Sequence, residues 1–442
     1  MHPEWSRGVP DGRLIYMPLP SRPLLRIDDL ASLVRDEVFG RRNDASVGIE
    51  LEWLTTVPTE GHRRLTLGEA ETIAATATLP KSSRLTIEPG GQVEISTQPH
   101  PSTSEACEAA ADDLFALEQR CRAYGIELVA LGLDPFRDPQ RIVTAARYAA
   151  MQNHFDRHGP AGRTMMCNSA SIQLNVALGP TSADVAARWR LSHLLGPVVI
   201  AAFANSPLAA GRPTGWACTR MRTWWAIDPT RSAPVSGWLD PDLDPADAWL
   251  TYALDANVLL QRDEDGAEPL DRPLPFGSWL TNGHDGTWPT LDDARYHLTT
   301  LFPPVRPRGW FELRMLDSLP TPWWHVAVAV ISTLLDDRDR QPQLESLLDP
   351  VAGHWVEASR DGMRDPVIGD TARRLFRLAA TALAEAGADD ATLAIVDTFR
   401  RRYVERSRCP GDDVLDRYLD DGSVLPPAES PVPYAQLEAS WR

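Results

Sequence analysis

The sequence predicts an α+β protein whose helices cover one face of a mostly antiparallel sheet. Three observations lead there. Four short stretches alternate polar and apolar residues with the period of two that a strand imposes: Gly48–Glu52, Gln92–Ser96, Ser171–Val176 and Trp310–Arg314. Long stretches of helical character, several with cap or stop signals, separate those strands, and a helical pattern runs from Thr321 onwards. The chain has 442 residues, 43% of them apolar, enough for a large core.

Taken in order, residues 1–24 are rich in proline and read as an irregular arm. Leu25–Phe39 reads as a helix stopped at Gly40, Val47–Leu54 as a strand, and Leu67–Ala77 as a short helix. Arg84–Ser96 reads as two strands broken at Pro89-Gly90-Gly91, where glycine lets backbone approach something closely. Ser102 with Glu105 three residues on is a capping box, opening a helix over Glu105–Tyr124 that stops at Gly125. Ile126–Leu133 reads as a buried strand. Arg141–His158 reads as a helix with Arg147, Met151 and His154 on one face, ended by Gly159-Pro160-Ala161-Gly162. A strand follows over 168–178, then a long apolar helix over Asp184–Phe203. The 205–218 loop, rich in Gly and Pro, is long for a compact domain and is the candidate lid. Residues 232–300 read as short helices and loops, and Gly309–Met315 is the last expected strand. One domain is expected over 1–442, with the catalytic sheet at about 45–320 and a helical lobe at about 321–442.

Composition excludes several classes. A net charge of −17 argues against nucleic-acid partners and an anionic membrane surface. No apolar run reaches the roughly 18 residues of a membrane span. Lys81 is the sole lysine among 44 basic residues, so no Walker-type lysine exists and any nucleotide must be held by metal, arginine and backbone. The five cysteines form no CxxC and are odd in number, which suits reduced thiols; with no apolar leader at the N-terminus, a cytoplasmic location is expected.

Alternation points Glu50 with Glu52, Gln92 with Glu94, and Trp310 with Glu312 and Arg314 to common strand faces, with Glu88 fixed beside the glycine break. A lone ExE is ordinarily a solvated sheet face. Several carboxylates on one dry face would instead repel, and shift to neutral, unless a cation holds them. Hard oxygen donors without His or Cys suit Mg²⁺ or Mn²⁺ rather than Zn²⁺. Arg147, Arg220, Arg222, Arg231 and Arg314 lie close in sequence to these strands. Arginine beside Mg²⁺ is what phosphoryl transfer needs, charge neutralisation and positioning with little covalent work.

The stretches Gly48-Ile49-Glu50-Leu51-Glu52, Glu88–Ser96 (EPGGQVEIS), Arg147-Tyr148 with Met151, Gly159-Pro160 with Gly162–Met166, Ser171–Asn175, Asn205-Ser206-Pro207, Met221-Arg222 with Trp225, and Glu312-Leu313-Arg314 with Asp317 follow one another across about 48–320. In these residues and their order the chain resembles the plant-type and actinobacterial glutamate–cysteine ligases. Its short, Trp-rich form, with FELRMLDSLP at Phe311–Pro320, is most similar to the branch that supplies γ-glutamylcysteine to ergothioneine biosynthesis. The resemblance implies a glutamine-synthetase-like catalytic domain, a curved and mostly antiparallel sheet with helices on its convex face. It implies ATP as co-substrate and two or three Mg²⁺ ions, with L-glutamate phosphorylated on its γ-carboxylate and then attacked by the amine of L-cysteine. It places Glu50, Glu52, Glu94 and Glu312 at metal positions, with Glu88 and Gln173 as further ligands. Arg220 or Arg222 would hold the substrate α-carboxylate, with Trp225, Tyr148, Met166 and Asn205 also at the substrate, and Arg147 and Arg314 would meet the transferring phosphoryl group. Glu50→Gln or Glu312→Gln is expected to abolish turnover and leave the fold intact. A ligase of the same scaffold using another amine, a non-catalytic relative and a metal-dependent hydrolase are the competing readings.

Overall fold

A computed structural model of the chain describes residues 26–40, 46–157, 159–262, 267–268, 270, 272–426, 436, 439 and 440. The proline-rich arm, Leu25 and His158 lie outside the described residues.

The strands are β1 (Val47–Thr56), β2 (Arg84–Ile87), β3 (Val93–Ser96), β4 (Glu127–Val129), β5 (Ser171–Ala177), β6 (Leu208–Ala209), β7 (Arg212–Pro213), β8 (Gln261–Arg262), β9 (Ala267–Glu268), β10 (Val305–Pro307) and β11 (Trp310–Asp317). Seven form one sheet in the order β10-β11-β5-β1-β3-β2, with β4 on the end of β1, and every pairing in it is antiparallel. β6 with β7 and β8 with β9 make two small hairpins. The expected α+β architecture and its antiparallel sheet are what the chain adopts.

Register decides which side chains meet. Glu50 lies opposite Gln173 and Ser96, Glu52 opposite Glu94, Glu94 opposite Thr86, and Glu312 opposite Asn175 and Arg306. Because alternate residues share a face, these polar groups form one side of the sheet. Ile49, Leu51, Trp53, Val93, Ile95, Ile172, Leu174, Phe311 and Leu313 form the other and are buried. Three helices cover that apolar side: Thr103–Ala123 over β1 and β3, Ser182–Ala202 over β10 and β11, and Trp323–Asp336 over β5. The Ser182–Ala202 helix starts in a complete capping box between Thr181 and Asp184. At Gly196 it meets the Trp355–Asp361 helix so closely that a Cβ would lie 2.1 Å from the Trp355 ring. One hydrophobic cluster runs from Leu30 to Cys409, so the sheet and the C-terminal helices share a core. No helix among the described residues is long and apolar enough to cross a membrane.

Over the polar side, the helices Ala146–Asp156, Ala161–Asn168 and Thr219–Trp225 pack in succession. The first starts at Ala146 rather than at the expected Arg141, because the amides of Ile142 and Val143 donate instead to the Pro89 carbonyl. The second was not expected, since Gly159–Gly162 reads only as a stop. The strand expected over Ile126–Leu133 shrinks to Glu127–Val129, beyond which the Gly132 amide donates to the Asn205 carbonyl. β10 has no alternation long enough to be seen and was also missed.

Candidate active site

The middle of the polar face is acidic. Glu52 accepts from the Ser171 amide (2.8 Å) and hydroxyl (3.0 Å) and from Gln173 Nε2 (3.1 Å). Glu50 accepts from Asn175 Nδ2 at 3.0 Å, and Glu94 from Thr86 Oγ1 (2.8 Å) and Ser96 Oγ (3.0 Å). These neutral donors leave most of the negative charge uncompensated. Burial, with Glu312 and Glu94 nearby, pushes the Glu50 carboxyl up to about 7. Burial, with Glu52 nearby, pushes Glu94 up to about 7. Burial also raises Glu52, against which Arg220 acts. Glu88 is pushed well up by burial and by the carboxylates of Glu94, Glu52 and Glu50. The structure thus brings all four acids into one electrostatic cluster, as alternation and the glycine break predict.

The β10–β11 end of the same face is cationic. Burial would raise Glu312, yet Arg306, Arg314 and Arg308 hold its carboxyl well below the usual range. Its Oε2 accepts from Arg306 Nε at 2.5 Å and Arg314 Nη1 at 3.1 Å, with Arg308 3.5 Å from Oε1. Arg314 Nη1 also donates to Gln173 Oε1, so that side-chain oxygen is engaged by arginine. Arg306 and Arg308 were missed. The signal was present: Pro307 and Gly309 bracket a tight return before Trp310, and antiparallel pairing then sets Arg306 across from Glu312. Trp310 Nε1 donates to Asn175 Oδ1 at 2.9 Å, extending the row to its rim.

The walls sort the remaining candidates. Arg220 faces the sheet, 2% exposed, donating to the Arg314 carbonyl (2.8 Å) with Asp317 at 3.8 Å and the Trp224 ring at 6.0 Å. Arg222 turns away and lies over Trp216 at 5.4 Å. Trp225 also turns away, donating through Nε1 to Ser359 at 3.1 Å. Tyr148 sits by the acids: burial and Glu88 push its hydroxyl up to about 12. Arg147 lies 5.5 Å from the Tyr296 ring. Arg231 is buried among Asp228, Thr300 and Asn257, a structural role. Two of the expected substrate residues lie deep in the fold. Asn205 is 2% exposed and its amide donors are spent on the Ala130 and Ser318 carbonyls. Met166 is buried in the core cluster. The expectation for Gln92 is corrected: it precedes β3, is 3% exposed, and folds back on the turn instead of joining Glu94. The 205–218 loop is tied at both ends, through Asn205 and Ser206 to Asp317 and through Ala217 and Cys218 to the Arg360 and Ser359 carbonyls, and at its tip the Gly211 amide donates to the Pro135 carbonyl; Ala210, Arg212, Pro213 and Gly215 are its exposed residues. All five cysteines are buried and unbridged.

The chemistry of the face suits a hard divalent cation and phosphate. Its donors are carboxylate oxygens, and Glu312 Oε1 is buried without a hydrogen-bond partner. Arg147 Nε and Arg314 Nε are buried without one as well, donors suited to an anionic oxygen. As the side chains stand, Glu50, Glu52, Glu94 and Glu312 are each turned to a partner on a neighbouring strand, and among the described residues no three His, Cys, Asp or Glu groups converge tightly enough to hold an ion. A cavity of about 310 Å³ lies elsewhere, behind β1, lined by Trp53, Leu131, Trp323, Tyr403 and Arg417, and contains none of these acids.

The chain matches the family described as glutamate–cysteine ligase family 2 (GCS2) over residues 46–430. It is 39% identical over 397 residues to the glutamate–cysteine ligase EgtA of Mycolicibacterium smegmatis, covering 89% of this chain and 90% of that one. It is 29% identical over 290 residues to the chloroplastic glutamate–cysteine ligase of Brassica juncea, covering 64% of this chain and 55% of that one. Among solved structures, a glutamate–cysteine ligase of Francisella tularensis in complex with AMP is similar at 13% identity and a TM-score of 0.48, covering 91% of this chain and 90% of that one.

Proposed function

This chain belongs to glutamate–cysteine ligase family 2, and from that premise we propose that it joins L-glutamate to L-cysteine with ATP and Mg²⁺ through a γ-glutamyl phosphate. The observation that carries the reading is the buried acid cluster beside arginines whose Nε donors have no partner. Glu50, Glu52, Glu88, Glu94 and Glu312 Oε1 would hold the ions; bound Mg²⁺ supplies charge neutralisation for phosphate oxygens. Gln173 would act by orienting Glu52 and Arg314, since both its amide atoms are engaged by them.

In this reading an oxygen of the substrate γ-carboxylate attacks the terminal phosphorus of ATP and the bond to ADP breaks. The neutral amine of cysteine then attacks the acyl carbon, phosphate leaves with the bonding electrons, and the proton lost from the nitrogen passes to the departing phosphate. Arg314 and Arg147 meet the charge on the transferring group through donors that are already oriented, so little reorganisation accompanies the step. Of the two arginines proposed for the substrate α-carboxylate, Arg220 stands at the sheet face, against the Arg314 carbonyl and near Glu52, while Arg222 lies over Trp216. Water must be kept from the acyl phosphate, and the hairpin tip of the 205–218 loop is the candidate cover. The product would feed ergothioneine biosynthesis, and the protein would work in the cytoplasm.

ADP release with ATP, Mg²⁺ and L-glutamate, with and without L-cysteine, tests the proposal, with the product identified by mass. Release that needs both amino acids, with γ-glutamylcysteine formed, is expected. Release with a different amine but not cysteine would move the function to another ligase of this scaffold. No release with any amino-acid pair would overturn the reading.

A further inference from the structure

Glu88 and Glu52 reach the acid cluster from different parts of the chain, and one buried side chain spans the gap between them. Gln92 Oε1 accepts from the Gly90 amide at 3.0 Å, inside the turn that carries Glu88. Its Nε2 donates to the Ser169 carbonyl at 2.8 Å and lies 3.4 Å from the Met166 carbonyl. Two residues beyond Ser169, Ser171 gives Glu52 both its amide and its hydroxyl. The turn is also closed on itself, Glu88 N donating to the Gln92 carbonyl (2.8 Å) and Gly91 N to the Glu88 carbonyl (2.9 Å). Little slack remains, since a Cβ at Gly90 would lie 2.1 Å from the Cys167 carbonyl oxygen.

We propose that Gln92 is a positioning residue for metal binding: its amide locks the Glu88 turn to the segment that orients Glu52, and so fixes how the two carboxylates stand to each other. The inference rests on the proposed metal role of Glu88. A side chain that orients ligands in this way commonly governs affinity by 10- to 100-fold. Gln92→Met keeps the length of the side chain and removes its hydrogen bonds to Gly90, Ser169 and Met166.

Mn²⁺ binding by the full chain, with the free ion counted by electron paramagnetic resonance, tests it alongside the thermal midpoint and far-ultraviolet circular dichroism. Gln92→Met is expected to weaken Mn²⁺ binding about tenfold in folded protein, and Glu88→Gln to weaken it as well. The double variant should bind less weakly than the two single losses combined would give, because both changes act on the same pair of ligands. A purely structural Gln92 would give additive losses, and that result overturns the inference. Wild-type affinity in Gln92→Met with weak binding in Glu88→Gln overturns it too, and leaves the metal reading standing. Wild-type affinity in Glu88→Gln overturns both. If Gln92→Met does not fold, Gln92→Asn, which keeps the amide one methylene short, enters the same cycle.

Discussion

Glu50 and Glu94 hold their protons to about 7 in the fold, against 4.5 for a free carboxyl. Between those values the folded chain keeps protons that the unfolded chain has released, so stability falls as pH rises through the window. Burial holds His193, His297 and His325 below their ordinary value, and their contribution rises with pH over the same window, so the acids are read by difference: the thermal midpoint of metal-free Glu50→Gln should fall less between pH about 5 and pH about 8 than that of the wild-type chain, and Mg²⁺ should raise the wild-type midpoint more at the higher pH. An equal pH response in the two proteins would contradict the raised Glu50 carboxyl. Glu50 and Glu312 then part company, although the sequence treats them alike. Glu50→Gln removes one of several repelling charges, so turnover should be lost with the fold retained. Glu312→Gln takes the counter-charge from buried Arg306 and Arg314, and should cost about 3 kcal/mol in denaturant unfolding. Glu50, Glu52, Glu94 and Glu312 were legible because alternation sets each on the polar face of its strand, and Glu88 because it stands beside the glycine break. The pairing of Glu312 with Arg306 was not, because it depends on a three-residue strand with no period of its own.

At the scale of elements, the glycine break between β2 and β3 was legible in kind but not in contact. Pro-Gly-Gly announces a close approach; only the fold shows that Gly90 meets the Cys167 carbonyl, at the end of a helix the sequence did not reveal. Gly90→Ala should cost about 2 kcal/mol or more, read as a lower unfolding midpoint, and should loosen Mn²⁺ binding by displacing Glu88. Full retention of both would mean the turn has room to shift. The helix Ala161–Asn168 was hidden because its opening Gly-Pro-Ala-Gly reads as a terminator, and packing against Phe155 fixes Gly162 there instead. The starts of the Thr103–Ala123 and Ser182–Ala202 helices were read to within about two residues, since a side chain oxygen on an amide is a local event.

For the molecule as a whole, the sheet and the C-terminal helices share one apolar cluster, and calorimetry should show a single unfolding transition. Gly196→Ala probes the joint directly: its methyl group would overlap the Trp355 ring, lowering that transition by about 2 kcal/mol while leaving the acid cluster untouched. Two separate transitions in the wild-type chain would instead mark the helical lobe as its own unit. The sequence could announce helices after Thr321 but not where they dock, because docking is decided by surface shape and not by period. The sheet's polar side, finally, has a direction, with Arg306, Arg308 and Arg314 at one end and Glu50, Glu94 and Glu88 towards the other. Such a gradient acts like a compass on any bipolar ligand that drifts in: the wrong way round, it is repelled at both ends before it touches a side chain. Recognition here thus begins as a torque, weakened by added salt, and the hydrogen bonds only complete an orientation already chosen.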